Sequence, residues 1–155
     1  MNWVDQCLPL VASFEGCARK GAGGLIYPYL DTLAKPPAPT RGYGRCYGIT
    51  MESPPISMLE ARDELRAGIL SYGAKVVTLA PALYDRPPCL AAVVSWAWNC
   101  GTGAFKVSRL RRAINEGRWD DAARLILKPD TAGGVVYRGL QRRRAAEAAL
   151  FATGI

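Results

Sequence analysis

The chain contains no histidine. That excludes imidazole acid–base chemistry, Ser-His and Cys-His nucleophiles and His-based zinc sites. Proton transfer must come from carboxylates, hydroxyls, Cys, Lys or Tyr. Three residues of the right type stand where structural elements are expected to meet. Glu15 follows Ser13-Phe14 and precedes Gly16. A glutamate desolvated by a neighbour such as Phe14 keeps its proton near neutral pH and serves as a general acid. Asp31 follows Tyr29-Leu30, and Thr40 opens the stretch Thr40-Arg41-Gly42-Tyr43-Gly44. Two carboxylates with a water between them hydrolyse glycosidic bonds. Each residue taken singly has a plainer reading. A Glu at a helix end is usually solvated, an Asp at a strand end is usually a turn residue, and a β-branched Thr is ordinary in a strand.

The elements that must position these residues fall into three textures. Residues 1–14 carry Trp3, Val4, Leu8, Leu10, Val11 and Phe14 at roughly helical spacing, and Pro9 predicts a kink or a late helix start. Residues 15–56 are turn-rich and hold six of the 11 Pro. Leu25–Asp31 and Thr40–Thr50 read there as short strands. Gly42 and Gly44 alternate, so one strand face would be bare backbone open to close approach. From Ser57 the pattern is helical. Ser57-Met58-Leu59-Glu60 fits a capping box, and Met58, Ala61, Leu65, Ile69, Tyr72 and Val76 form an apolar stripe. Pro87-Pro88 should open a helix that is apolar nearly all round from Cys89 to Trp98, hence buried, and Asn99–Gly103 should end it. Ser108–Asn115, Asp120–Leu127 and Arg138–Thr153 predict further helices, with Gly117 closing the first of them.

These textures predict one α+β domain, mainly α, over residues 1–155. A small β-rich lobe spans about 15–56, and a larger helical lobe takes 1–14 plus 57–155. A cleft between lobes is the default place for a ligand. The length of 155 residues supports a single core without metal or disulfide staples. Five Cys, at 7, 17, 46, 89 and 100, with no CxxC pair, read as reduced thiols. No metal or cofactor is expected. The excess of 20 Lys+Arg over 13 Asp+Glu, net +7, favours polyanionic partners. No signal peptide and no membrane-spanning run is visible.

The ordered motifs resemble the lysozymes of tailed phages, the endolysins of glycoside hydrolase family 24. The resemblance rests on Phe14-Glu15-Gly16, on Tyr29-Leu30-Asp31 with Thr40–Gly44, and on Val94–Phe105 as a buried helix with its Asn-x-Gly turn. It continues through Asn115–Ala123 and through Gly133-Gly134 followed by Gly139–Glu147. It implies a lysozyme-like two-lobed fold and a bacteriolytic muramidase. Such an enzyme hydrolyses the β-1,4 bond between N-acetylmuramic acid and N-acetylglucosamine in peptidoglycan. It further implies Glu15, Asp31 and Thr40 as the catalytic triad, with Glu15 the general acid. Asn99 and Gly101 would line the saccharide groove, with a helix cap the plainer reading of Asn99; Tyr43 and Tyr47 would stack on sugar or equally cover the sheet; and Arg143 would lie near Glu15. Three features depart from the family pattern. The Glu15–Asp31 stretch is lengthened by a turn at Lys20–Gly24, the Asp31–Thr40 stretch is long and proline-rich, and Arg41 stands where an apolar residue is usual.

The run Arg142-Arg143-Arg144 has a plain reading as a solvated face. Its other reading is attraction to anionic wall polymer or to the outer membrane through a basic C-terminal helix. Two competing functions remain in view. A nucleic-acid-binding module would interleave base-stacking aromatics with Arg, and here they lie apart; no nucleic acid is expected. A catalytically inactive wall-binding relative would lack triad residue types that are present. The resemblance also implies a monomer held in the host cytoplasm until it is released to the cell wall.

Overall fold

In the computed structural model the described residues are 2–17, 21–32, 34–128 and 137–155. Among them the class is the expected one, mainly α with a small sheet. Helix α1 runs Trp3–Glu15, α2 Met58–Leu79, α3 Pro87–Cys100, α4 Thr102–Val107, α5 Arg109–Asn115, α6 Trp119–Ile126 and α7 Arg138–Ala152. Strands β1, Tyr29–Asp31, and β2, Ala38–Thr40, pair antiparallel. No described helix is long and apolar enough to cross a membrane.

The chain divides into two compact units. One joins Met1–Phe14 to Ile69–Ile155, and the other is Glu15–Gly68. Helix α2 therefore contributes its first half to one unit and its second half to the other.

The helix signals are realised as side-chain chemistry. At the start of α2, the Ser57 backbone N–H donates to Glu60 Oε2 at 2.7 Å and Glu60 N–H donates to Ser57 Oγ at 3.2 Å. That is the reciprocal capping box. Ala61, Leu65, Ile69 and Val76 of the stripe are buried, and Tyr72 packs its ring 5.0 Å from Trp98. Pro87 occupies the first turn of α3, where its missing N–H removes no helix bond. Cys89 through Ala97 are buried without interruption, so α3 is the core of the larger unit. Ser108 caps α5 by accepting from Arg111 N at 3.0 Å, and Gly117 follows its end at φ +70°.

Three expectations are corrected. Helix α1 does not start late: it begins at Trp3 and carries Pro9 inside. Helix α3 does end within Asn99–Gly103 as expected, at Gly101, whose φ of +90° leaves the helical region. Leu25–Asp31 is not one strand. Ile26 bridges Ile56 through paired bonds of 2.7 and 3.0 Å, and only Tyr29–Asp31 joins β2, because Pro28 between them has no N–H to give. Thr40–Thr50 is not a strand beyond Thr40. Gly42, Gly44 and Gly48 all have positive φ, and an Arg41–Arg45 bridge closes a tight turn. The alternating glycines mark turns, not a bare strand face. Part of the expected inserted turn is visible as a 3₁₀ turn at Ala22–Gly24; Lys20 and Gly133-Gly134 lie outside the described residues.

Candidate active site

Glu15, Asp31 and Thr40 all belong to the Glu15–Gly68 unit. Glu15 is the last residue of α1, and Gly16 at φ +63° turns the chain out of the helix directly after it. The Glu15 side chain is exposed, so Phe14 does not desolvate it as the sequence suggested. The Phe14 ring instead faces the Arg143 guanidinium at 5.6 Å.

Asp31 and Thr40 are placed by strand register. Tyr29 lies opposite Thr40, and Asp31 lies opposite Ala38. Directly opposed residues of an antiparallel pair share a face, and residues two apart on one strand share it too. Asp31 and Thr40 are therefore diagonal neighbours on one face, roughly 7–8 Å apart. Thr40 is buried, at 3% exposure. Its hydroxyl donates to the Ala38 carbonyl oxygen at 3.1 Å, which leaves the oxygen's lone pairs as acceptors. Such a hydroxyl can accept a hydrogen bond from a water held beside a carboxylate.

Arg41, next to Thr40, has a structural account. Its Nη1 donates to Pro54 O at 2.6 Å, and its Nη2 pairs with Glu64 of α2 at 2.8 Å. Gly42 then turns at φ +64° with Ala61 of α2 a van der Waals contact from where a Cβ would stand. The segment after Thr40 is thus pinned to α2 from two adjoining residues. Tyr43 is drawn inward as well. It packs against the Ile26–Ile56–Ala61 cluster, and its hydroxyl donates to Met58 Sδ at 3.6 Å. Tyr47 is the exposed ring of this segment, at 89%.

In the larger unit, Arg143 and Arg144 contradict the solvated-face reading of their run. They are 4% and 0% exposed, and only Arg142 of the three faces solvent. Glu147, fully buried, gathers both. Arg143 Nε donates to Glu147 Oε1 at 3.1 Å, and Arg144 Nη1 donates to Oε2. Ser95 Oγ donates to the same carboxylate at 2.7 Å, and Arg143 Nη2 donates to Ser95 O at 3.1 Å. Arg144 Nη2 also donates to the Asn99 side-chain oxygen. Asn99 itself is exposed, and Gly101 is half-buried just beyond it. Sequence reasoning left Ser95 and Glu147 without a role. Their signals were a lone hydroxyl inside an apolar helix and a carboxylate three and four places after two arginines. Among the described residues no group of three or more His, Cys, Asp or Glu is placed to hold a metal ion.

The phage lysozyme family model matches residues 13–147, which include every candidate residue named above. The chain belongs to the phage lysozyme family. It is 48% identical over 159 residues to an endolysin of Bacillus phage B103, covering 99% of this chain and 55% of that protein. It is 36% identical over 150 residues to an endolysin of Bacillus phage PZA, covering 94% of this chain and 53% of that protein. The chain thus spans about half the length of the curated relatives it matches. Among solved structures, the muramidase domain of SpmX from Asticaccaulis excentricus superposes with a TM-score of 0.75 at 27% identity, covering 94% of each chain. The endolysin from Escherichia coli O157:H7 phage FAHEc1 shares the fold, with a TM-score of 0.77 at 24% identity over 100% of this chain and 96% of that one.

Proposed function

We propose that this member of the phage lysozyme family is an endolysin of muramidase type. It hydrolyses the β-1,4 bond between N-acetylmuramic acid and N-acetylglucosamine in bacterial peptidoglycan. Glu15 gives its proton to the leaving glycosidic oxygen as the bond breaks. Asp31 orients the attacking water or stabilises the oxocarbenium-like charge, and Thr40 helps to hold that water. The observation that carries this reading is the shared face of Asp31 and Thr40 on the β1–β2 pair, inside the stretch that matches the family.

Asn99 and Gly101 serve the saccharide. The Asn99 oxygen is taken by Arg144, which leaves its amide N–H groups as donors to sugar hydroxyls or acetamido carbonyls. Arg143 contributes by holding the Phe14 ring. Tyr43 is occupied in the small core and contributes by holding the segment after Thr40. The chain works as a monomer and reaches the wall from the host cytoplasm. With Arg143 and Arg144 buried, the C-terminal helix is not proposed as an outer-membrane contact.

The test is turbidity loss of permeabilised Gram-negative cell walls, with the soluble products read by mass spectrometry. Wild type should clear the walls and release new N-acetylmuramic acid reducing ends. Glu15→Gln removes the transferable proton with almost no change in shape. It should lower the rate by about 10²–10⁴-fold while circular dichroism stays unchanged. Near-wild-type clearing by folded Glu15→Gln overturns the assignment. N-acetylglucosamine reducing ends or free peptides would reassign the bond.

A further inference from the structure

A second cluster of positive charge lies outside α7. A cavity of about 380 Å³ lies over α5 and α6, lined by Arg109, Arg112, Arg118, Asp121, Arg124, Leu125 and Lys128. That volume is in the range of small-ligand sites rather than of a lone ion. Arg118 and Arg124 are fixed in place. Arg118 Nη1 donates to Asp121 at 2.6 Å, its Nε and Nη2 donate to Glu116 at 2.8 and 2.7 Å, and Arg124 donates to the other Asp121 oxygen. Hydrogen bonds from Arg124 and Arg118 hold the Asp121 carboxyl below its usual range, so it stays ionised and keeps both guanidinia in place.

Arg109, Arg112 and Lys128 are exposed and make no side-chain hydrogen bond or ion pair among the described residues. Five cations set against Asp121 and its neighbour Glu116 leave this site three positive charges in excess. Guanidinium groups suit phosphate oxygens, and three exposed cations beside Arg118 and Arg124 suit several phosphates in succession.

We propose that the α5–α6 cavity is a docking site for a linear phosphodiester polymer of the cell envelope, separate from the Glu15–Gly68 unit that carries the candidate triad. No aromatic side chain lines it among the described residues. The neighbouring Trp119 ring is covered by Arg86 at 4.3 Å and packs against Phe151. A single-stranded nucleic acid would find no stacking platform here. The anion site stands on its own geometry. The choice of a wall polymer over other polyanions rests on the proposed function.

The test uses the full chain and oligo(glycerol phosphate), titrated calorimetrically at low and moderate salt. Wild type should bind with affinity that falls steeply as salt rises. The triple variant Arg109→Gln/Arg112→Gln/Lys128→Gln removes only exposed cations that have no side-chain partner among the described residues. It should bind at least tenfold more weakly, with a log–log salt slope flatter by about 2. Equal binding by the triple variant overturns the proposal. Tighter capture by duplex DNA, or by vesicles of anionic phospholipid, lost in the same variant, overturns the choice of polymer. Wall clearing separates this inference from the proposed function. On Gram-positive walls, which carry such a polymer, the triple variant should clear intact walls more slowly than wild type, and walls stripped of phosphate polymer at the wild-type rate. Failure of wild type to clear stripped walls sinks the muramidase reading and leaves the binding result standing.

Discussion

Glu147 is the residue on which the interior of the larger unit turns. One carboxylate there answers two buried guanidinia and a buried hydroxyl. Removing one partner of a buried ionic cluster leaves the others uncompensated. Glu147→Gln should therefore destabilise the protein by on the order of 3–5 kcal/mol, read from urea denaturation; a loss below about 1 kcal/mol would contradict the account. Two thiols give a pH prediction. Burial pushes Cys7 up to about 12, with the Glu147 carboxylate adding to it, and burial pushes Cys89 up to about 11. A thiol whose folded value lies above its unfolded value near 9 contributes its stability fully below pH 9. That contribution is lost as pH rises through the folded values. The unfolding free energy read from urea curves should fall above pH 9, by about 1 kcal/mol per pH unit for each thiol, and less steeply in Cys89→Ala. The candidate triad rests on the absence of His and on three element boundaries, and Glu15, Asp31 and Thr40 do stand at the ends of α1, β1 and β2. The burial of Arg143 and Arg144 was not legible, because a charge run alone does not say which helix face meets a buried carboxylate.

At the scale of elements, end signals were legible and strand extents were not. Ser57, Pro87, Ser108 and Gly117 each carry local chemistry that acts within a few residues, so their roles follow from the sequence. The glycines at 42 and 44 imitate the period of a strand. Only their positive φ shows that the chain turns there, and what holds the turn is Arg41, which reaches Pro54 and Glu64 far along the chain. Arg41→Met keeps the stem and removes the donors, leaving the Pro54 carbonyl without its partner. A loss of roughly 1–3 kcal/mol in thermal unfolding is expected. Arg45 also pairs with Glu64, at 2.9 Å, but its side chain is 48% exposed. Arg45→Ala should cost no more than about 1 kcal/mol. Equal effects of the two substitutions would mean that the tether to Pro54 contributes nothing.

For the molecule as a whole, α2 is the shared element, since the division between units falls within it at Gly68. All four Trp, at 3, 96, 98 and 119, lie in the other unit from the candidate triad. Trp fluorescence therefore reports on one unit, while far-ultraviolet circular dichroism reports on both. In wild type the two signals should change together on heating. Ala67 is exposed within α2, and a proline there breaks the helix at a cost of about 3 kcal/mol or more. Ala67→Pro should split the two transitions; coincident curves in that variant would show that α2 does not couple the units.

The larger unit is assembled from both sides of the smaller one in sequence. Helix α1 emerges from the ribosome before the residues it meets. Cys7 feels Glu147 and Arg143, the Phe14 ring faces Arg143, and Trp3 fills the space beside Gly73. Glu15–Gly68 has all its own residues once α2 is half made. The stripe of α1 that holds Cys7 must wait for α7. During synthesis that stripe stays uncovered longest, which makes it the segment a nascent-chain chaperone would hold and delays closure of the larger unit until translation has passed α7.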